Sequence, residues 1–339
     1  MKIDQKVSRD VDNVYLNTQL YNPSDRDFPC SYSAQFTDPV LGRADEYCVS
    51  VSRFSFDVSD VPLFIFKDNT YSITLQRENS GQVARQFLIY SDVDAVDSRQ
   101  VVYTFSHMVD MVNAAFANAF GALAGGGGPN DPTEAPVMEY DPGSGLFSLI
   151  VQPEYARSNA DRINIFFNYR LEKFFQSFYS VSFGNAQPDG MDRQIVVAAS
   201  LTNGIQIGGN DYIKVEQDFD SRISFYEMKS IVIRTSTLPM RHEFAAPVKT
   251  DRSTWTGDIT LDILSDYSPF SSTPQDQRSR MIYSPTVYRW ADLIGEGVVK
   301  QIDYSVFWED LEGNFYPLVI SPHNFASLKL LFRKKSKLT

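Results

Sequence analysis

The chain has 339 residues, of which 43% are hydrophobic and 14% aromatic, and a formal net charge of −11. That length and apolar content can bury a full core in one large β domain or two ordinary ones, which excludes an intrinsically disordered protein. The acidic balance excludes generic binding of the whole chain to a nucleic-acid backbone, because such binding runs on clustered Lys and Arg that displace counterions.

Twenty-five Phe and 18 Tyr suit pleated faces that favour large flat side chains, which points to an all-β fold. Cys30 and Cys48 offer neither metal-ligand spacing nor a disulfide framework, so two buried free thiols in a reducing compartment are expected. No apolar h-region follows Met1, and no run approaches the roughly 18 apolar residues of a membrane span, so neither a signal peptide nor a span is expected. The sequon-like Asn22-Pro23-Ser24 is blocked by its proline.

Residues 1–29 are polar and irregular, with Asp10, Asp12, Asn13, Asn22, Pro23, Ser24 and Asp25 setting the tone, and read as an arm that orders only against neighbours. Residues 30–339 read as the globular domain. Tyr47, Val49 and Val51 alternate with Cys48, Ser50 and Ser52, and Phe54, Phe56 and Val58 resume the alternation one residue out of phase. Such a slip predicts a β-bulge near Ser52-Arg53. Further strands are predicted at Tyr71 to Leu75 and Gln86 to Tyr90.

From Ser106 to Leu123, Val109, Val112, Phe116, Ala119, Phe120 and Leu123 recur at three- and four-residue steps, which predicts a helix. Gly125 to Gly128 end it, and an acidic, proline-rich loop follows. Strand patterns return at Leu146 to Val151 and Ile163 to Phe167. Leu171, Phe174, Phe175 and Phe178 then predict a short helix opened by Asn168. Short, glycine-punctuated strands fill 180–215, and the region from about 91 to 225 reads as an inserted lobe.

Strands resume at Ile231 and Ile233 and again at Ile259, Leu261 and Ile263. Ser268 to Arg280 is a long polar loop. Ile302, Tyr304, Val306 and Trp308 alternate with Gln301, Asp303, Ser305 and Phe307, the period of a half-buried strand. Glu309 to Asn314 supplies a polar, Gly-containing turn, so Phe315 to Ile320 runs back antiparallel. Ser327 to Phe332 is the last predicted strand. Lys329, Arg333, Lys334, Lys335 and Lys337 then gather at the end, as a solvated terminus or as contacts with an acidic partner surface or an enclosed genome.

No catalytic constellation is legible. No Gly-x-Ser-x-Gly elbow occurs, and His107, His242 and His323 are far apart and outside any His-Glu-x-x-His arrangement. The glycine run lacks the Lys-Ser/Thr of a phosphate loop and follows a helix instead of preceding one. Asp10-Val11-Asp12-Asn13 begins like a calcium loop but has Tyr15 where Gly is needed and Tyr21 where a bidentate Glu belongs. Asp92, Asp94 and Asp97 read as an exposed acidic turn. Asp258 and Asp262 would sit about 13 Å apart on one strand face, too far for a glycosidase pair. Neither an enzyme, a cofactor nor a metal is expected. Trp290 and Trp308 fit either a sugar-stacking platform or the core.

Several phrases carry a resemblance. Ser230-Ile-Val-Ile-Arg-Thr235, Leu238-Pro239, Ile282-Tyr-Ser-Pro285, Tyr288-Arg289, Ile302-Asp-Tyr-Ser-Val-Phe-Trp308, Gly313-Asn314, Pro317-Leu318 and Leu328-Lys-Leu-Leu-Phe-Arg-Lys-Lys335 resemble the minor capsid, or penton, proteins of virophages and polinton-like viruses. Tyr47 to Phe56, Leu63-Phe64 and Asn69-Thr70-Tyr71-Ser72 resemble their early strands. The resemblance spans most of the chain and is weakest over about 180–225.

It implies an all-β jelly-roll β-sandwich with an inserted region containing one or two helices. It also implies a homopentameric ring at the vertices of an icosahedral shell, beside a double-jelly-roll major capsid protein. The virion is the expected location, with synthesis in the host cytoplasm or a virus factory. Arg333, Lys334, Lys335 and Lys337 become candidate assembly contacts, with the packaged genome as a further partner of the basic end. The alternative is a carbohydrate- or receptor-binding β-sandwich such as a viral attachment protein, with Trp290 and Trp255 as its test positions.

Overall fold

The period-two row at Ile302 to Trp308 forms the strand it predicts. In a computed structural model, which describes residues 12–91, 100–123, 132–156, 162–182, 190–198, 203–241, 243–245, 259–268 and 280–337, Ile302, Tyr304, Val306 and Trp308 are buried while their odd-numbered neighbours are more exposed. The turn that follows is held by one carboxylate. Asp310 accepts from the Glu312 and Asn314 amides, both at 2.8 Å, and Gly313 adopts the positive φ of 85° that a side chain would resist.

Two units make up the chain: Met1–Val61 joined with Met228–Thr339, and the contiguous Pro62–Glu227. In the first, the strands are β1 (Asn13–Tyr21), β2 (Ser31–Gln35), β3 (Tyr47–Asp57), β4 (Met228–Arg234) and β5 (Ile263–Tyr267). They continue with β6 (Arg280–Tyr283), β7 (Ala291–Asp292), β8 (Gln301–Asp310), β9 (Phe315–Pro317) and β10 (Phe325–Lys334). Sheet I has the order β1-β10-β3-β6, with β7 also on β3, and sheet II the order β5-β4-β8-β9, with β2 also on β8.

The two sheets bury facing rows. Val49, Val51, Phe54, Phe56, Leu328, Leu330 and Phe332 come from sheet I, and Ile231, Ile233, Leu264, Ile302 and Val306 from sheet II. Among the described residues, hydrogen bonds cross the sandwich at two places, a longer one between the Ser265 and Tyr283 hydroxyls at 3.4 Å and a shorter one at Tyr304. The Thr18 hydroxyl donates to the Leu328 carbonyl at 3.1 Å, which uses its single proton, so the Tyr304 hydroxyl 2.6 Å away must be the donor to Thr18. Tyr267 of β5 and Tyr283 of β6 stack across the same interior with centroids 4.0 Å apart. The predicted bulge is present: opposite β10 the register passes from Lys329↔Arg53 to Leu330↔Val51, leaving Ser52 as the extra residue.

The second unit is built on its own core. One sheet, sheet III, orders Ser180–Ser182, Arg193–Ile195, Ile163–Phe167, Ser72–Arg77 and Val83–Phe87; the other, sheet IV, orders Gly204–Ile207, Asn210–Glu216, Leu146–Val151 and Val137–Asp141. Helix α1 (Phe105–Leu123) buries Met108, Val112, Phe116, Ala119 and Leu123, the face that the three- and four-residue spacing predicts. Its Asn113 amide pairs with both backbone groups of Met138, at 3.0 and 2.7 Å, and so occupies polar groups of the Val137–Asp141 strand. The short helix α2 (Tyr169–Glu172) is capped by Asn168, whose side chain accepts from Leu171 N at 3.0 Å. Phe147, Phe174 and Phe225 form a stacked aromatic centre with centroids 4.6 to 5.4 Å apart. The two ends of this unit are tied together, Glu227 N donating to Leu63 O at 2.9 Å.

Two details differ from the sequence reading. Within residues 1–29, Asn13–Tyr21 is a strand paired along its whole length with β10 of the same chain; Tyr15 and Tyr21 on its outer side, and Thr18 on its inner side, blur the alternation that marks it. The compact second unit starts at Pro62 instead of about 91, because Ser72–Arg77 finds its partners in Ile163–Phe167 and Val83–Phe87. The loops at 125–128 and most of 268–280 lie outside the described residues.

Replacing Tyr304 with Phe removes its bond to Thr18 but leaves Thr18 its carbonyl acceptor, and is expected to cost about 1 kcal/mol. Thr18→Val strands the buried Tyr304 hydroxyl and is expected to cost about 2 kcal/mol. Urea unfolding of the two variants tests this order.

Candidate assembly surface

The basic residues at the C-terminal end do not act as one group. The Lys334 ammonium lies 3.8 Å from Glu46, and its amide donates to the Asp12 carbonyl at 2.9 Å. Lys335 donates to the Leu293 carbonyl at 2.9 Å and lies 3.8 Å from Asp292. Both therefore fasten the end of β10 to neighbouring loops of the same unit. Arg333 sits on the outer face of sheet I, in register with Cys48 on β3 and Asn13 on β1, and its buried Nε has no hydrogen-bond partner. Lys337 ends the last turn, Lys335–Lys337.

The pleat of sheet I gathers further cations that are remote in sequence. Arg53 on β3 faces Lys329 on β10, and Arg280 on β6 faces Asp57 on β3. Lys329 lies over the Tyr15 ring at 4.6 Å and Arg280 over Phe325 at 3.5 Å. Tyr15, Tyr21 and Ile282 on this face are 54, 56 and 63% exposed. Arg53 and Arg280 are missed by reading the sequence because they stand far from the basic end; the strand parity around the Ser52 bulge is the signal that would find Arg53.

Two carboxylates organise the polar ends of this unit. Asp303 on β8 accepts from Thr235 Oγ1 and Ser236 N at 2.8 Å, from Thr237 Oγ1 and N at 2.9 and 3.0 Å, and from the Ser236 hydroxyl. Burial pushes its pKa up, but these hydrogen bonds outweigh burial and hold it at about 2. Asp60 is buried and its carboxyl is raised by that burial, although Asn324 and Ser321 donate to it at 3.0 Å.

The remaining sequence candidates are structural. Trp308 is buried and packs on Tyr316 with centroids 4.7 Å apart, which removes it from any ligand platform; half-buried Trp290 packs on Tyr288. His107 lies in α1 with its amide bound to the Thr104 hydroxyl, and His323 takes a positive φ in a turn beside Asn22. Cys30 and Cys48 are free and buried, and burial pushes both thiols up, so neither is a ready nucleophile. His242, Trp255, Asp258, Asp92, Asp94 and Asp97 lie outside the described residues. Among the described residues no group of His, Cys, Asp and Glu is arranged to hold a metal, and no helix is long and apolar enough to cross a membrane.

A protein-family model described as the Sputnik minor capsid protein V18/19 matches residues 11–334. The chain belongs to this minor capsid protein family. Structural protein V19 of Sputnik virophage is 27% identical over 206 residues, which are 58% of this chain and 93% of that protein. Protein V18 of the same virophage, uncharacterized, is 26% identical over 156 residues, 38% of this chain and 93% of that one. A chain from the cryo-EM structure of the Sputnik virophage shares the fold with a TM-score of 0.79 at 25% identity, covering 96% of this chain and 99% of that chain. The mavirus penton protein gives a TM-score of 0.68 at 18% identity over 95% of this chain and 99% of that one, a likeness of fold. This minor capsid protein is thus a jelly-roll sandwich with a helix-containing insertion, and a structural protein of a viral capsid.

Because Asp303 titrates at about 2 when folded against about 3.9 when unfolded, its contribution to stability is present above about pH 4 and lost as the pH falls towards 2. Asp303→Asn is expected to lower stability at neutral pH and to flatten the stability profile between about pH 4 and 2. Denaturant midpoints at pH 7, 4 and 3 test this.

Proposed function

We propose that this minor capsid protein is the penton subunit of its particle, five copies closing a ring at each fivefold vertex beside a major capsid protein. The observation that carries the reading is the likeness of fold to a penton protein over nearly the whole chain, joined to membership of a minor capsid family. The role is structural, not catalytic. A cyclic ring joins two different flanks of each subunit, so the association is heterologous and closes only at one rotation. Apolar burial supplies its free energy, and charged groups set register and partner choice.

The domain reading that goes with this is a jelly-roll capsid domain, into which residues 62–227 are inserted as a lobe. Arg333, Lys334, Lys335 and Lys337 are the proposed contacts with neighbouring capsid components or the packaged genome. The fastening of Lys334 to Glu46 and of Lys335 to Asp292 and Leu293 supports a role in which the end of β10 is held ready for that contact. Assembly takes place in the host cytoplasm or a virus factory.

Electron microscopy of the purified chain is expected to show fivefold rings, and a protein that stays monomeric at high concentration and is absent from purified particles would overturn the reading. Lys334→Glu with Lys335→Glu places four carboxylates together at the end of β10. It is expected to prevent ring formation while leaving Pro62–Glu227 folded, as followed by hydrogen exchange.

A further inference from the structure

The outer face of sheet I carries cations that no carboxylate among the described residues pairs with. Arg53 and Lys329 stand directly opposite each other on neighbouring strands, a like-charge cross-strand pair that costs stability. Arg280 and Arg333 lie on the same face, towards its two ends. None of the four forms an ion pair with a carboxylate among the described residues. The nearby acids are engaged elsewhere: Asp57 accepts from the Ser59 amide and hydroxyl at 3.0 and 2.7 Å, and Asp292 lies against Lys335. Exposed Tyr15, Tyr21 and Ile282 give the face apolar area as well.

A complementary face exists in the other unit. On sheet IV, Glu139 and Glu216 both stand in register with Ser148 from either side, and Asp141 continues the row on the Glu139 strand. All three acids are exposed. Glu216 holds Lys214 at 2.8 Å, whereas Glu139 has no cationic partner among the described residues. Val137, on the same side of the pleat, is exposed. Four cations on one sheet therefore match carboxylates on another, with apolar side chains beside both.

We propose that the outer face of sheet I in one copy docks on the outer face of sheet IV in a neighbouring copy, with Arg53 and Lys329 meeting Glu139 and Glu216. A second copy is the occupant that the charges select, because a chain of net charge −11 brings to its neighbour the carboxylate surplus that this basic face lacks. Joining two different faces is also what a closed cyclic assembly requires. The proposal rests on the ring reading above and names the faces that make the contact.

Sedimentation velocity and electron microscopy of charge-reversed proteins test it. Arg53→Glu with Lys329→Glu is expected to weaken ring formation by at least about a hundredfold, and Glu139→Lys with Glu216→Lys to do the same. The protein carrying all four changes is expected to recover rings, because the attraction is restored with its sign exchanged. Arg53→Gln with Lys329→Gln, which removes the charge without reversing it, is expected to weaken the rings less and to make their stability less sensitive to salt. Thermal unfolding of each variant confirms that it is folded. Rings that ignore the reversal at Arg53 and Lys329, or a fourfold variant that stays dissociated, would overturn the pairing of faces while leaving the ring reading intact. A monomeric unaltered protein would overturn both.

Discussion

Sheet I depends on the position of one strand. β10, the last strand of the chain, lies between β1 and β3, so neither of those strands pairs with the other and both wait for residues more than 270 positions away. The sandwich of the first unit therefore closes through very long loops, and such closure is slow because its entropy is lost before any contact returns free energy. Pro62–Glu227 carries no such penalty. It is contiguous, and its two ends are tied by the Glu227–Leu63 bond, so it can form while the final strand is still being synthesised.

The same arrangement explains where the polar groups of the first unit sit. A sandwich must bury its facing rows, and most polar atoms named within it are answered, the buried Tyr267 hydroxyl being without a hydrogen-bond partner among the described residues. Tyr304 donates to Thr18, Thr18 donates to Leu328, and buried Asn22 donates to the Ile320 and Arg26 carbonyls at 2.7 and 2.8 Å. At the rims, Asp303 and Asp310 each gather several donors and fix one turn apiece. These carboxylates set loop geometry.

Much of the fold was legible because local pattern and burial coincided. The Ile302 to Trp308 row, the Ser52 bulge, helix α1 and the Asn168 cap all follow from side-chain spacing that one face of each element satisfies. β1 was not legible, since an edge strand with tyrosines outside and a threonine inside breaks the simple contrast between apolar and polar. Nor was the start of the inserted unit, because a strand such as Ser72–Arg77 looks the same whichever sheet receives it. At the candidate surface, the run from Lys329 to Lys337 stood out as a cluster in sequence, yet the pleat sends alternate residues to opposite sides. Lys329 and Arg333 join Arg53 and Arg280, while Lys334 and Lys335 turn to Glu46 and Asp292. Sequence proximity and spatial proximity differ most on a sheet, where neighbours on one face come from different strands.

The pairing of β1 with β10 has a consequence for the chain as a linear object. Asn13 lies opposite Arg333, and the Lys334 amide binds the Asp12 carbonyl, so the two described ends leave sheet I at a single corner. Joined there by a short linker, the polypeptide would become nearly circular without disturbing any strand, and it could be reopened at an exposed turn such as Leu311 to Gly313. The order in which its strands are translated is thus separable from the architecture they build.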